Sequence, residues 1–191
     1  PIETRIELQT GGYVLTGAID RSLLALLKNA PIDDVSLVHT IQFDPTKPGD
    51  VTWSSGLAPN GNTKLREPYL KDLIDSLHGV GIQVRAGYEI VEKGKTHSTL
   101  GDGFSGWLGS ASASDIDSHV ERIVQFLWGK GLDFDGLGFD LEANGLTLSH
   151  GPNLRRLIQG TAKALAPRNK FVTYDNAPSL DADGDNKNKF M

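Results

Sequence analysis

Strand-like and helix-like segments alternate along most of this chain, and that alternation limits the fold more than any other feature. The stretch Tyr13–Ile19 is apolar and β-branched, and residues 20–29 follow with Leu23, Leu24, Leu26 and Leu27 as a helical stripe. Val35–Phe43 is a second strand candidate. A Pro- and Gly-rich connection from Asp44 to about Lys64 separates it from a helix over Glu67–His78, where Leu70, Leu73, Ile74 and Leu77 fall at i, i+3, i+4 and i+7. Ile82–Ile90 reads as the third strand, with a long loop over 91–113 after it. Ser114–Lys130 is the clearest helix: Ile116, Val120, Ile123, Val124 and Leu127 share a face, Ser114 or Asp115 is the expected cap, and Gly129 and Gly131 end it. Phe134–Glu142 is the fourth strand, Pro152–Ala166 a helix with proline in its first turn, and Phe171–Asn176 the fifth strand.

Crossovers of this length join parallel strands and put helices outside them. A doubly wound open sheet and a closed (β/α)8 barrel both satisfy the pattern. The barrel is favoured because the long loops follow strands, at the end where barrels build their sites. No Gly-rich phosphate loop follows the first strand, which weakens a nucleotide-binding reading. The expectation is an α/β protein of TIM-barrel type in which residues 1–191 form the amino-terminal part of one domain and supply about the first five strands. The remainder of the barrel is then an expected partner, from the same polypeptide or from a second one.

Composition removes several classes. A net charge of −5 without clustered Lys or Arg argues against nucleic-acid binding. No run of eighteen apolar residues is present, so no membrane-spanning helix is expected. With no cysteine, neither a disulfide framework nor a Cys-based zinc site is expected, and the five histidines show no metal-ligand spacing. Asp181-Ala182-Asp183-Gly184-Asp185 has its glycine misplaced for a calcium loop and reads as an acidic turn.

The fourth strand carries the chemistry. In Phe134-Asp135-Gly136-Leu137-Gly138-Phe139-Asp140-Leu141-Glu142, alternation turns Leu137, Phe139 and Leu141 toward the helices and Gly138, Asp140 and Glu142 into the barrel. Two carboxylates about 7 Å apart along one strand face are costly to bury without a purpose. Crowding and burial raise one of them, which suits a proton donor. Spacing alone leaves a structural ion-pair network, or a solvated strand end, equally open.

This stretch resembles the D-G-x-D-x-D-x-E signature of family-18 glycoside hydrolases, the chitinases and endo-β-N-acetylglucosaminidases. Asp135 and Gly136 match its opening, Asp140 its last aspartate and Glu142 its glutamate; the helix ending Trp128-Gly129-Lys130-Gly131-Leu132 and the strand Phe171–Asn176 keep the family's order. The resemblance implies secretion, a ligand containing N-acetylglucosamine and a retaining reaction without cofactor. Glu142 would protonate the glycosidic oxygen while the substrate's 2-acetamido carbonyl attacks the anomeric carbon, oriented by Asp140. Asp135, Tyr174, Trp107 and Trp53 are the expected substrate contacts, the two tryptophans as loop indoles able to stack on sugar rings. Tyr174 reads equally as strand packing, each indole more readily as a loop anchor than as a sugar contact, and Trp128 as packing. Tyr88 and Glu89 end the third strand, where they reach the cleft or serve structure.

Three departures stand out. The middle aspartate of the signature is Gly138, Arg85-Ala86-Gly87-Tyr88 replaces the usual Ser-x-Gly-Gly strand, and the family's later tyrosine and tryptophan would lie beyond Met191. A carbohydrate-binding protein without catalysis, on the same barrel, is the alternative these departures favour. Retention of both Asp140 and Glu142 opposes it.

Overall fold

The structure, a computed structural model, describes residues 11–15, 31–44, 46–54, 63–89, 102–140 and 148–175, with isolated positions between 25 and 29. Six strands form one sheet: β1 (Gly11–Leu15), β2 (Asp34–Phe43), β3 (Val51–Trp53), β4 (Gln83–Glu89), β5 (Gly136–Asp140) and β6 (Phe171–Asp175). Among the described residues the complete α-helices are α1 (Arg66–His78), α2 (Asp102–Ser110), α3 (Ala113–Trp128) and α4 (Gly151–Leu165). Of the expected helix over 20–29, Ala25 and Leu27 are helical and Leu27 is buried; the rest of that stretch, and the acidic run 181–185, lie outside the described residues.

The parallel strands add in chain order, β1-β2-β4-β5-β6, with each pairing to the next. A doubly wound sheet reverses its order at a switch point. Strands that advance in one direction instead build the wall of a barrel, so the order decides between the two architectures left open by the sequence.

Alternation along the strands separates two faces. Val35, Leu37, Ile41, Val84, Ala86, Tyr88, Leu137 and Phe139 are buried in the core shared with the helices. Leu70, Leu73, Ile74 and Leu77 of α1 and Ile116, Val120, Ile123 and Leu127 of α3 meet them there. The opposite, inner face carries Asp34, Ser36, Arg85 and Gly138, all buried. Thr40 pins an irregularity in β2 between Leu37 and Ile41: its hydroxyl donates to Leu37 O (2.6 Å) and accepts from Gly87 N (3.2 Å).

Three local expectations are corrected. Within the connection 44–64, Val51–Trp53 forms a short strand antiparallel to β2, and Asp44 N donates to Asp50 O (3.0 Å) where the two strands are joined. The supposed loop 91–113 contains α2, because Phe104, Trp107 and Leu108 have helical spacing and bury one side against the core. The cap of α3 is Ser112 rather than Ser114 or Asp115: Ser112 Oγ accepts from Asp115 N and the Asp115 carboxylate accepts from Ser112 N, a reciprocal capping box. No helix among the described residues is long and apolar enough to cross a membrane.

Candidate active site

The carboxyl ends of the parallel strands share one edge. Register aligns Gln42 with Glu89, Glu89 with Asp140, and Asp140 with Asp175, so the last row of the sheet contains three acidic positions on adjacent strands. In each case an aromatic residue immediately precedes the acid: Tyr88-Glu89, Phe139-Asp140, Tyr174-Asp175. The aromatic row faces the helices. Tyr88 and Phe139 pack with ring centroids 5.4 Å apart, and Tyr88 Oη lies 2.9 Å from His119 Nε2 on α3. Asp140 is half-buried at the end of β5. Glu142, the expected proton donor, lies outside the described residues.

Beneath that row lies a compact polar layer. A Cβ at Gly138 would stand 3.1 Å from Thr173 Oγ1 and 3.5 Å from Ser36 Oγ, so the missing side chain leaves no open hole. At Gly136 a Cβ would come within 2.6 Å of Phe171 O, which excludes a side chain outright. Arg85 supplies the charge of this layer. Its Nη1 donates to Thr173 Oγ1 (2.7 Å), its Nη2 donates to Asp34 Oδ1 (3.1 Å), and Nε forms an ion pair with Asp34 Oδ2 at 2.5 Å. Nε makes this approach without the alignment of a hydrogen bond, so the Nη2 bond and the ion pair together hold the two groups. Arg85 and Asp34 are 7% and 3% exposed, so their charges face each other away from bulk water.

Behind the edge, on the helix side, Tyr88 and His119 form a second buried network. His119 Nδ1 lies 2.7 Å from Gly49 O, which requires the proton on Nδ1 and leaves Nε2 to accept from the Tyr88 hydroxyl. Burial is the main cause that pushes His119 down to about 4, and burial pushes the Tyr88 phenol well above its ordinary value. His119 is therefore a neutral strut between α3, β4 and the turn at Gly49. The sequence offered one signal for it, a histidine on the apolar stripe of α3 next to Val120.

The four expected substrate contacts are placed elsewhere than at the acidic edge. Tyr174 is the register partner of Phe139 and packs half-buried against the core, on the helix side of the sheet. Asp135 precedes β5 at the amino end of the sheet: Oδ2 accepts from Val84 N (2.8 Å) and lies 2.7 Å from His78 Nε2. A carboxylate so engaged joins β4, β5 and α1. Trp107 belongs to α2, half-buried with ring centroids 5.3 Å from Phe43, 5.9 Å from Phe104 and 4.9 Å from His119. Trp53 belongs to β3, 4.7 Å from the Phe126 ring, with Arg66 and Lys130 at 5.8 and 5.7 Å from its own centroid. Each indole is thus engaged by its own protein as a packing group. Trp128 is packing as expected, its Nε1 donating to Phe134 O at 2.9 Å.

An in-order parallel wall with acidic positions at its carboxyl edge defines the class, part of an α/β barrel. Solved structures similar to this chain make the class narrower. A GH18 chitinase from Pseudoalteromonas aurantia superposes with TM-score 0.59 at 17% identity, over 87% of this chain and 55% of that one. A chitinase from Chromobacterium violaceum gives 0.63 at 19% identity, over 87% and 44%. The spore cortex-lytic enzyme SleL of Bacillus cereus gives 0.60 at 13%, over 95% and 36%. The fold is accordingly that of the family-18 glycoside hydrolases, and the chain spans about half the length of these structures or less. No protein-family model matches the sequence, and no curated protein matches it closely enough to count as a relative.

Proposed function

We propose that this chain carries the acid-bearing part of a glycoside hydrolase that cleaves β-1,4 linkages next to N-acetylglucosamine, in chitin, its oligomers or the chitobiose core of N-glycans. The observation that carries the reading is the position of Asp140: at the carboxyl end of β5, half-buried, on the row of acidic positions above a polar inner layer. The fold shared with chitinases supports the same substrate class. In this reading the Glu142 carboxylic acid gives its proton to the glycosidic oxygen as the bond to the anomeric carbon breaks. The acetamido oxygen of the same sugar forms the new bond to that carbon, with Asp140 polarising the amide. Water then opens the cyclic intermediate and returns a proton to Glu142, which gives net retention. The later strands that complete the barrel, and secretion of the protein, belong to this proposal.

A second reading, a sugar-binding protein without catalysis, draws on Gly138, because the space where the family's middle aspartate would sit is bounded by Thr173 and Ser36. Hydrolysis separates the two. The polypeptide and its Glu142→Gln variant are incubated with N-acetylglucosamine oligomers and a high-mannose glycopeptide, and the products are read by mass spectrometry. Cleavage by the unsubstituted protein that is lost in the variant supports the hydrolase. Binding of either sugar without cleavage supports the second reading.

A further inference from the structure

Two neighbouring helices on the outside of the wall carry opposite charge. The ionised side chains of α3 are Asp115, Asp117, Glu121 and Arg122; those of α4 are Arg155, Arg156 and Lys163, with no acid among them. Each helix precedes a strand of the same parallel sheet, so the two run in one direction. An open groove of about 690 Å³ lies between them. Glu121 borders it from α3, and Arg155 and Lys163 border it from α4, all three exposed. None of the three forms an ion pair with another described residue. Asp117 and Arg156 bridge the helices, with Arg156 Nε donating to Asp117 Oδ1 at 2.8 Å. At Gly160 the helices come close, since a Cβ there would stand 3.3 Å from Val120 Cγ2. These contacts fix the levels: 117 stands beside 156 and 120 beside 160, so 121 lies only about 3–5 Å along the axis from the level of 163.

A partner matching this groove presents cations to α3 and anions to α4. A polyanion meets the acidic wall and a polycation the basic one, so neither matches both. A second copy of the same face does. A twofold axis parallel to the helices lays α3 of each copy over α4 of the other at the same level, whereas an axis across the helices lays acid on acid. We propose that this chain self-associates through the α3–α4 face as a twofold dimer. Glu121 of each copy meets Lys163 of the other, and Asp117, already paired with Arg156, meets the other copy's Arg155. The small residues Gly160 and Ala164 on the α4 side of the groove leave room for these long side chains to interleave. Exposed pairs of this kind are screened, so the association depends on concentration and weakens with salt. The inference is independent of the hydrolase reading, because none of these residues belongs to the acidic edge.

The test is sedimentation velocity of the full chain over a concentration series at low salt. The unsubstituted protein is expected to shift from one chain mass to two as concentration rises. Glu121→Lys and Lys163→Glu each put like charges at both symmetric contacts and are expected to weaken association about tenfold or more. An equimolar mixture of the two variants faces lysine with glutamate at both contacts, so dimers are expected to return in the mixture although each variant alone stays monomeric. Loss of folding or of a general surface property cannot produce that recovery. Circular dichroism checks that each variant is folded; should a reversal not fold, Glu121→Gln and Lys163→Gln take its place, each weakening association by less. A protein that stays monomeric at every concentration overturns the proposal. So does an association that the reversals leave unchanged, or a mixture that recovers no dimer.

Discussion

Replacing His119 by glutamine removes a proton-binding site from the core while keeping a donor and an acceptor for Gly49 O and Tyr88 Oη. His119 has no exposed surface, and burial holds it at about 4 against an ordinary 6.5. The unfolded chain therefore binds the proton more readily than the folded one. Its contribution to stability is complete above the unfolded value and is lost as pH falls from about 6.5 to about 4. A difference of this size corresponds to about 3 kcal/mol in full, and about 2 kcal/mol of it falls between pH 7 and pH 5. Urea unfolding of the unsubstituted protein and of His119→Gln at both pH values isolates that part, because all other groups cancel in the comparison. The unsubstituted protein should lose about 2 kcal/mol more than the variant on going from pH 7 to pH 5. Equal losses in the two proteins would refute the assignment of His119 as a buried neutral strut.

Further outcomes follow from the same contacts. Tyr88→Phe leaves His119 Nε2 without its donor and should cost about 1–3 kcal/mol in urea unfolding at pH 7. Asp135→Ala removes the acceptor shared by Val84 N and His78 and should cost about 1–3 kcal/mol by the same measurement, with sugar affinity by calorimetry unchanged. A weaker sugar affinity at full stability would return Asp135 to the binding site. Gly138→Ala places a methyl 3.1 Å from Thr173 Oγ1 and should destabilise by about 1 kcal/mol or more. In the double variant with Thr173→Ala the two costs should add to less than their sum, read as a coupling energy from chemical denaturation.

Much of this architecture is legible in the residues because each element obeys its own period. The stripe of α3 and the alternation of β5 are visible as written, and Gly138 and Asp140 share a face for the reason that alternation gives. What escapes is local competition. Gly103, Gly106 and Gly109 lower helix propensity across α2 and hide the spacing of Phe104, Trp107 and Leu108, which wins through burial. Three residues are too few for β3 to display a period, so Trp53 reads as a loop residue until its pairing with Ile41 is known. Tyr174 goes to the helix side because its neighbour in register is Phe139. The signal for that lay in the repeated aromatic–acid pair closing β4, β5 and β6: three strands end with the ring toward the core, and the acidic position follows one residue later. Asp135 could not be separated from Asp140 by residue type; what separates them is the end of the strand on which each lies, since hydrogen bonds at the amino edge consume one carboxylate.

The central claim, that the acidic edge cleaves sugars with help from a 2-acetamido group, is tested most directly by offering the polypeptide matched oligosaccharides. A β-1,4-linked N-acetylglucosamine tetramer and its fully deacetylated counterpart are incubated side by side with the unsubstituted protein and with Asp140→Asn, and the products are followed by mass spectrometry. The account predicts cleavage of the acetylated tetramer alone, reduced at least about a hundredfold by Asp140→Asn. Equal cleavage of both tetramers, or cleavage that Asp140→Asn leaves intact, would contradict it.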